Sequence, residues 1–248
     1  MEGLWLIVFV FVLSFGVHVW SATVGGGGPV LITALVFLGL SPQAAIATNR
    51  FGSLCNIFAL LQFHRDGHVK WRLGLFLAIF AGLGSVLGSV LLLRVEGEVV
   101  ERGIGVITLL SLPMILLKPK AGMKEGRQKF TKAKQAGGAS VMFLLGILGG
   151  FFSATGIWFS YVYIFYYGMT FLQTAATRKI SGLCMLVFSL AVLIPANIIH
   201  WPIALSMFFG GALGSWVSAL YANKLGNEWV KYIFLFVMMC MGLAILLF

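Results

Sequence analysis

The chain has 248 residues, 60% of them hydrophobic and 10% charged, with a formal net charge of +10 and a mean hydropathy of +1.02. These values exclude an ordinary soluble domain and describe an all-α polytopic membrane protein whose surroundings are a lipid bilayer. The basic excess is no nucleic-acid signature, because Lys and Arg sit mostly in loops, where they set membrane orientation.

Apolar stretches fall at 4–24, 29–40, 43–63, 73–94, 98–118, 139–152, 157–168, 172–197, 203–222 and 229–248. The start, Met1-Glu2-Gly3-Leu4-Trp5, lacks the basic region of a cleaved signal, so the first stretch is expected to remain. Several stretches are about 20 residues long, enough to span a bilayer. The first two of each half are shorter, or are cut by Gly or Pro, and must meet protein or water inside the membrane.

Between the first two stretches lies Val24-Gly25-Gly26-Gly27-Gly28-Pro29. Glycine costs a helix about 1 kcal/mol per residue and proline about 3. One helix therefore ends near Thr23 and a second begins at Pro29, where the missing N–H costs nothing. A break inside a bilayer is tolerated where it is buried in protein or lines a wet cavity. A new helix start there offers N–H groups and a partial positive charge to an anion, as the broken helices of transporters do. The alternative is a glycine-rich contact between membrane helices, and the glycines alone do not choose between the two.

Residues 118–135 hold seven Lys or Arg and one acid, Glu125. The stretch reads as a cytoplasmic linker, with lipid-headgroup binding compatible with the same placement. It divides the chain into a first transmembrane repeat (1–118), a basic linker (119–137) and a second repeat (138–248). The basic loop His64–Arg72 and the loop Ala222–Lys231 read as cytoplasmic. Arg94–Arg102, with Glu96, Glu98 and Glu101, and Asn197–Pro202 read as external. Ten crossings or part-crossings, with both termini outside, satisfy this pattern.

The halves match at a constant offset of 129: Gly27 with Gly156, Gly39 with Gly168, Ala47 with Ala176, Thr48 with Thr177, Arg50 with Lys179 and Cys55 with Cys184. After a one-residue shift, Trp71 pairs with Trp201, and Leu83-Gly84-Ser85 with Leu213-Gly214-Ser215. Five segments per half is an odd number, so the expectation is two inverted repeats of about five helical segments each, with the short and broken helices at the repeat interface.

Inside the apolar stretches the basic residues are Arg50 and the pair Arg178-Lys179. A basic residue at the bilayer centre costs about 2.5–3.5 kcal/mol on insertion scales. Its recurrence in both halves argues for a purpose. Thr48-Asn49-Arg50 and Thr177-Arg178-Lys179, joined to two helix starts, make a site of fixed donors and net positive charge for a small oxyanion. The competing reading has these side chains snorkelling to headgroups. All seven acids (Glu2, Asp66, Glu96, Glu98, Glu101, Glu125 and Glu228) fall outside the spans or at their ends. A passive or potential-driven anion route is therefore expected, rather than a carboxylate-based proton or sodium coupling. His18 reads as a helix–helix hydrogen-bonding group or a coupling residue. Cys55 and Cys184 read as small hydrophobes or as thiol contacts to a sulfur substrate. The aromatics around Trp158, Tyr161, Tyr163, Tyr166 and Tyr167 read as a pore lining or an interfacial belt. There is no nucleophile–base pair, phosphate loop or metal-ligand spacing, so no catalytic residue, cofactor or metal is expected.

Gly25-Gly26-Gly27-Gly28-Pro29, followed by Gly39-Leu40-Ser41-Pro42-Gln43-Ala44-Ala45-Ile46-Ala47-Thr48-Asn49-Arg50, resembles the first-half signature of the sulfite exporter TauE/SafE family. Residues 149–156 and Gln173-Thr174-Ala175-Ala176-Thr177-Arg178-Lys179 resemble that family's second repeat, with Trp158 where the first half has Pro29 and Ala154-Thr155 in place of glycines. The resemblance implies a multi-pass transporter of the inner (plasma) membrane that exports sulfite, a sulfonate or a related organic anion. The expected substrate-binding residues are Gly25, Gly26, Gly27, Gly28, Thr48, Asn49, Arg50, Thr155, Gly156, Thr177, Arg178 and Lys179. An anion channel, a carrier of a non-sulfur carboxylate and a non-transport scaffold are the alternatives. Association as a homodimer is left open.

Overall fold

The computed structural model describes residues 2–110, 122, 126, 131–153 and 155–247, and every regular element among them is helical. The first half holds α1 (Glu2–Val24), α2 (Gly27–Phe37), α3 (Pro42–Gly52), α4 (Asn56–Arg65), α5 (Trp71–Leu92) and α6 (Gly97–Leu110). A 3-10 turn, Ser53–Cys55, joins α3 to α4. The second half holds α7 (Lys132–Phe152), α8 (Gly156–Tyr161) running into a π-helical turn (Val162–Tyr166), α9 (Phe171–Leu193) and α10 (Trp201–Leu247). Gly226 (φ 76°, ψ −176°) divides α10 into two helices across a kink.

Among the described residues six helical spans are long and apolar enough to cross a membrane. Gly3–Thr23, Pro42–Arg65 and Trp71–Leu92 lie in the first half, and Lys132–Phe152, Phe171–Leu193 and Trp201–Val230 in the second. Among the described residues the chain is thus an all-α, multi-pass membrane protein. Most of residues 111–130, including much of the expected basic linker, lies outside the described residues. The end of that linker is the first turn of α7, which starts at Lys132 because the Thr131 hydroxyl accepts the N–H of Lys134 at 3.3 Å. Local signals also set α3 and α9. Ser41 caps α3 ahead of Pro42, and Thr170 with Gln173 forms a capping box on α9.

The helices pack across the halves. The first helix of each half lies along the long apolar helix of the other, α1 on α10 and α7 on α5. Glycines bring these pairs close. A Cβ added at Gly84 or Gly88 of α5 would stand 2.1 Å from the carbonyl oxygen of Phe143 or Ile147 on α7. One added at Gly210 or Gly214 of α10 would stand 2.3 Å from that of Phe11 or Phe15 on α1. In lipid, where apolar burial does not draw helices together, such small-residue contacts and interhelical hydrogen bonds supply the association. The bonds run the same way. Ser14 Oγ donates to the Met207 carbonyl at 2.8 Å, Ser206 Oγ to that of Ile7 at 2.6 Å, and Ser215 Oγ to that of Cys55 at 3.0 Å.

Because the obstacle at α5 is backbone, an added methyl cannot be absorbed by a rotamer change. Gly84→Ala and Gly88→Ala should each lower the thermal midpoint in detergent, at a cost of about 1–3 kcal/mol. Gly16→Ala on α1, whose new Cβ would meet nothing within 4 Å, should leave the midpoint unchanged or raise it. Equal midpoints for all three variants would refute close α5–α7 packing.

Candidate functional site

The first break is built on glycine. Gly25 (φ 94°) and Gly26 (φ 82°) are both left-handed, a conformation that costs other residues free energy. Gly25 N–H still bonds the Ser21 carbonyl at 2.7 Å, closing α1. Gly26 then caps α2, which begins at Gly27, ahead of Pro29; Pro29 falls in the first turn, where no helical N–H bond is lost. The second break turns without glycine. Ser153 (φ 57°) is left-handed, and its N–H bonds the Gly149 carbonyl at 3.0 Å. Neither Gly26 nor Thr155 caps the following helix with a side chain.

The two breaks touch. A Cβ at Gly28 would lie 2.7 Å from the Ser153 carbonyl oxygen, and one at Gly156 would lie 3.6 Å from Gly26 N and 3.9 Å from Gly25 Cα. Both helix starts therefore converge on one place.

Ending a helix in a buried interior strands its last carbonyls, and two buried arginines answer this across the halves. Arg50, on α3, directs Nη2 to the carbonyls of Gly149 (2.7 Å) and Gly150 (2.5 Å) near the end of α7. Its Nη1 donates to Ser89 Oγ at 3.2 Å and to Ser189 Oγ. Arg178, on α9, directs Nη2 to the carbonyls of Ser21 (3.3 Å), Ala22 (3.4 Å) and Thr23 (3.0 Å) at the end of α1. Each half thus caps the broken helix of the other. Lys179, the offset partner of Arg50, does something else: its Nζ donates to Asn56 Oδ1 at 2.5 Å.

These groups surround a cavity of about 160 Å³. Of the residues expected to bind the anion, Gly25, Gly26, Gly27, Gly28, Asn49, Arg50, Thr155, Gly156, Arg178 and Lys179 line it. Thr48 and Thr177 do not; both are fully buried elsewhere. Thr48 Oγ1 accepts the His200 N–H at 3.0 Å, and Thr177 Oγ1 accepts the Lys70 N–H at 3.0 Å. Each therefore holds the start of the long helix, α10 or α5, of the opposite half. Cys55 and Cys184 do not line the cavity, and both are free thiols. The tyrosines stand apart too: Tyr163 bonds Ser181 at 2.7 Å, and Tyr166 donates to the Lys134 carbonyl at 3.1 Å.

Several lining residues carried no weight in the sequence reading: Ser21, Ser53, Asn56 and Phe159. Asn49, Ser53 and Asn56 are spaced i, i+4, i+7, so they form a polar stripe on an apolar span. That periodicity is the signal that could have found them. His18 also lines the cavity, its Nδ1 2.9 Å from the Ser14 carbonyl. Among the described residues the buried set contains Arg50, Arg178 and Lys179 but no Asp or Glu, and no group of His, Cys, Asp or Glu could hold a metal ion. Asn49 Oδ1 and the Nε atoms of Arg50 and Arg178 are buried with no hydrogen-bond partner among the described residues.

The family model described as "Sulfite exporter TauE/SafE" matches residues 10–245. A "probable membrane transporter protein" of Sinorhizobium sp is 26% identical over 97% of this chain and 92% of its own length. Another of that description, from Haemophilus influenzae, is 26% identical over 92% of this chain and 90% of its own. The "probable membrane transporter protein YfcA" of Escherichia coli K12 is 25% identical over 84% of this chain and 77% of its own. No solved structure matches. The chain belongs to the sulfite exporter TauE/SafE family, and it is accordingly a multi-pass membrane transporter.

Proposed function

We propose that the chain exports a small oxyanion of the sulfite and sulfonate class across the inner (plasma) membrane, through the cavity between its halves. One observation carries this reading: three buried cations line a single cavity, and no buried carboxylate accompanies them among the described residues. A buried charge is expensive unless it is paired. The partial negative ends of α7 and α1 partly satisfy Arg50 and Arg178. Lys179 has a neutral amide, so its charge is left for a ligand. The converging start of α2 adds partial positive charge on the same side. The size agrees: about 160 Å³ is well below the roughly 300–1,000 Å³ of sites that enclose drug-sized ligands. The family's description supplies the sulfur chemistry.

The cations divide the work. Arg50 has both terminal nitrogens committed to protein acceptors and holds the architecture. Arg178 spends Nη2 on α1 and turns Nη1 toward the breaks, 3.0 Å from where a Cβ at Gly25 would stand. Lys179 and this Nη1 are the groups that meet the anion, with Asn49 beside them. Two inverted repeats exchange access as the short helices α2 and α8 shift against the spans. The anion gradient and the membrane potential drive the flux, since no acid among the described residues lines the cavity.

In liposomes the purified chain should carry sulfite saturably and with counterflow, and Lys179→Gln should lower the initial rate at least tenfold at an unchanged thermal midpoint. Flux linear in concentration, without counterflow, would indicate a channel. Unaltered flux in Lys179→Gln would remove the site assignment. Arg50→Gln has a different signature: the orphaned carbonyls of Gly149 and Gly150 each cost about 1–3 kcal/mol, so the thermal midpoint should fall steeply whether or not sulfite is present.

A further inference from the structure

We propose that Asn56 is the charge-selectivity residue of this site. It orients Lys179 while leaving its positive charge uncancelled, so that the cavity prefers doubly charged over singly charged anions. The inference rests on the anion-transport reading above and deepens it.

The geometry is specific. Asn56 Nδ2 donates to the Ser53 carbonyl at 2.9 Å, and Oδ1 accepts from Lys179 at 2.5 Å. The ammonium can only donate and the carbonyl can only accept, so these two neighbours dictate which way the amide points. The Ser53 carbonyl belongs to the 3-10 turn between α3 and α4, so a break in the span's regular helix anchors the amide. The side chain of Asn56 is thereby held from behind and aimed at Lys179.

What the amide withholds matters as much as what it gives. An aspartate of the same shape would form an ion pair at this distance and neutralise Lys179. Asparagine supplies the hydrogen bond without the charge. The other half has no such device. At the offset of 129, Asn56 corresponds to Met185, which also lines the cavity but has a thioether in place of the amide; its backbone carbonyl accepts from Ser85 Oγ at 3.1 Å. Arg50, the counterpart of Lys179, is surrounded by acceptors instead. Of this offset pair, Arg50 is therefore the committed cation and Lys179 the one that a neutral hinge presents to the ligand. The other ionisable groups near the ammonium are Arg178 and His18 on the cavity wall and the thiol of Cys55. None of them is a carboxylate.

The test measures equilibrium binding of sulfite at pH 8, where it is a dianion, and of ethanesulfonate, a monoanion, to the full chain in detergent. Asn56→Asp should weaken sulfite at least about twentyfold and ethanesulfonate several-fold less, because a unit charge inside the cavity repels a dianion twice as strongly. Asn56→Ala, which removes the hinge without adding charge, should weaken both by only about two- to fivefold. A packing role reverses this order, since the isosteric aspartate would then be the milder change. Should Asn56→Asp fail to fold, a double-mutant cycle decides: Asn56→Ala should weaken sulfite in the wild-type background and have no effect on Lys179→Gln. Equal effects in both backgrounds, or an Asn56→Asp variant that binds sulfite like the wild type, overturn this inference alone. No binding of either anion by the wild-type chain overturns it together with the transport reading.

Discussion

A helix that ends in a buried interior needs donors for its last carbonyls, and this requirement organises the protein. α1 and α7 both end at residues buried between the halves, Ala22 and Thr23 in one and Gly149 and Gly150 in the other, where lipid offers nothing to hydrogen-bond. The donors are guanidinium groups, which present several N–H bonds in one plane and stay charged. Once two guanidinium groups are present, the interior is positively charged. Once it is positively charged and carries no buried acid among the described residues, it is suited to an anion. Architecture and the proposed anion preference thus follow from one chemical demand. The same groups that close the helix ends create the field that a substrate would meet.

The demand is met by exchange. Arg50 caps the helix of the second half and Arg178 that of the first. Thr48 and Thr177 exchange in the same way, holding the starts of α10 and α5. The glycine seams between α5 and α7 and between α10 and α1 join the same partners. Close backbone approach and exchanged side chains reinforce each other. Without the glycines the helices would stand too far apart for Ser14 and Ser206 to reach the carbonyls opposite.

Much of this was legible in the chain. The apolar stretches foretold the spans, because length and hydropathy are nearly sufficient in a bilayer. Gly25-Gly26 ahead of Pro29 offered either a break or a close helix contact, and the structure shows the break. Arg50, Arg178 and Lys179 stood out because charge is rare in such segments. What stayed hidden was the other end of each interaction. Arg50 bonds backbone carbonyls about a hundred residues away, and carbonyls carry no sequence signal. Thr48 and Thr177 were noticed for their symmetry, yet a hydroxyl reads the same whether it faces a ligand or a helix start. Ser153 turns the second break in a left-handed conformation that serine seldom adopts, closed by its N–H bond to the Gly149 carbonyl, so no sequence pattern marked it. Asn56 was masked by the apolar residues around it, and only the i, i+4, i+7 stripe betrays it.

The exchange also fixes an order of events in biosynthesis. α5 enters the bilayer before α7 and α9 have been made. Until they arrive, its glycine face has no neighbour and the amide of Lys70 waits for the hydroxyl of Thr177, more than a hundred residues downstream. α1 likewise keeps its terminal carbonyls uncapped until Arg178 has left the ribosome. The first half is therefore inserted as an incomplete object, and its interior closes only when the second half is threaded against it. The contacts between its beginning and its end are therefore the last that can form.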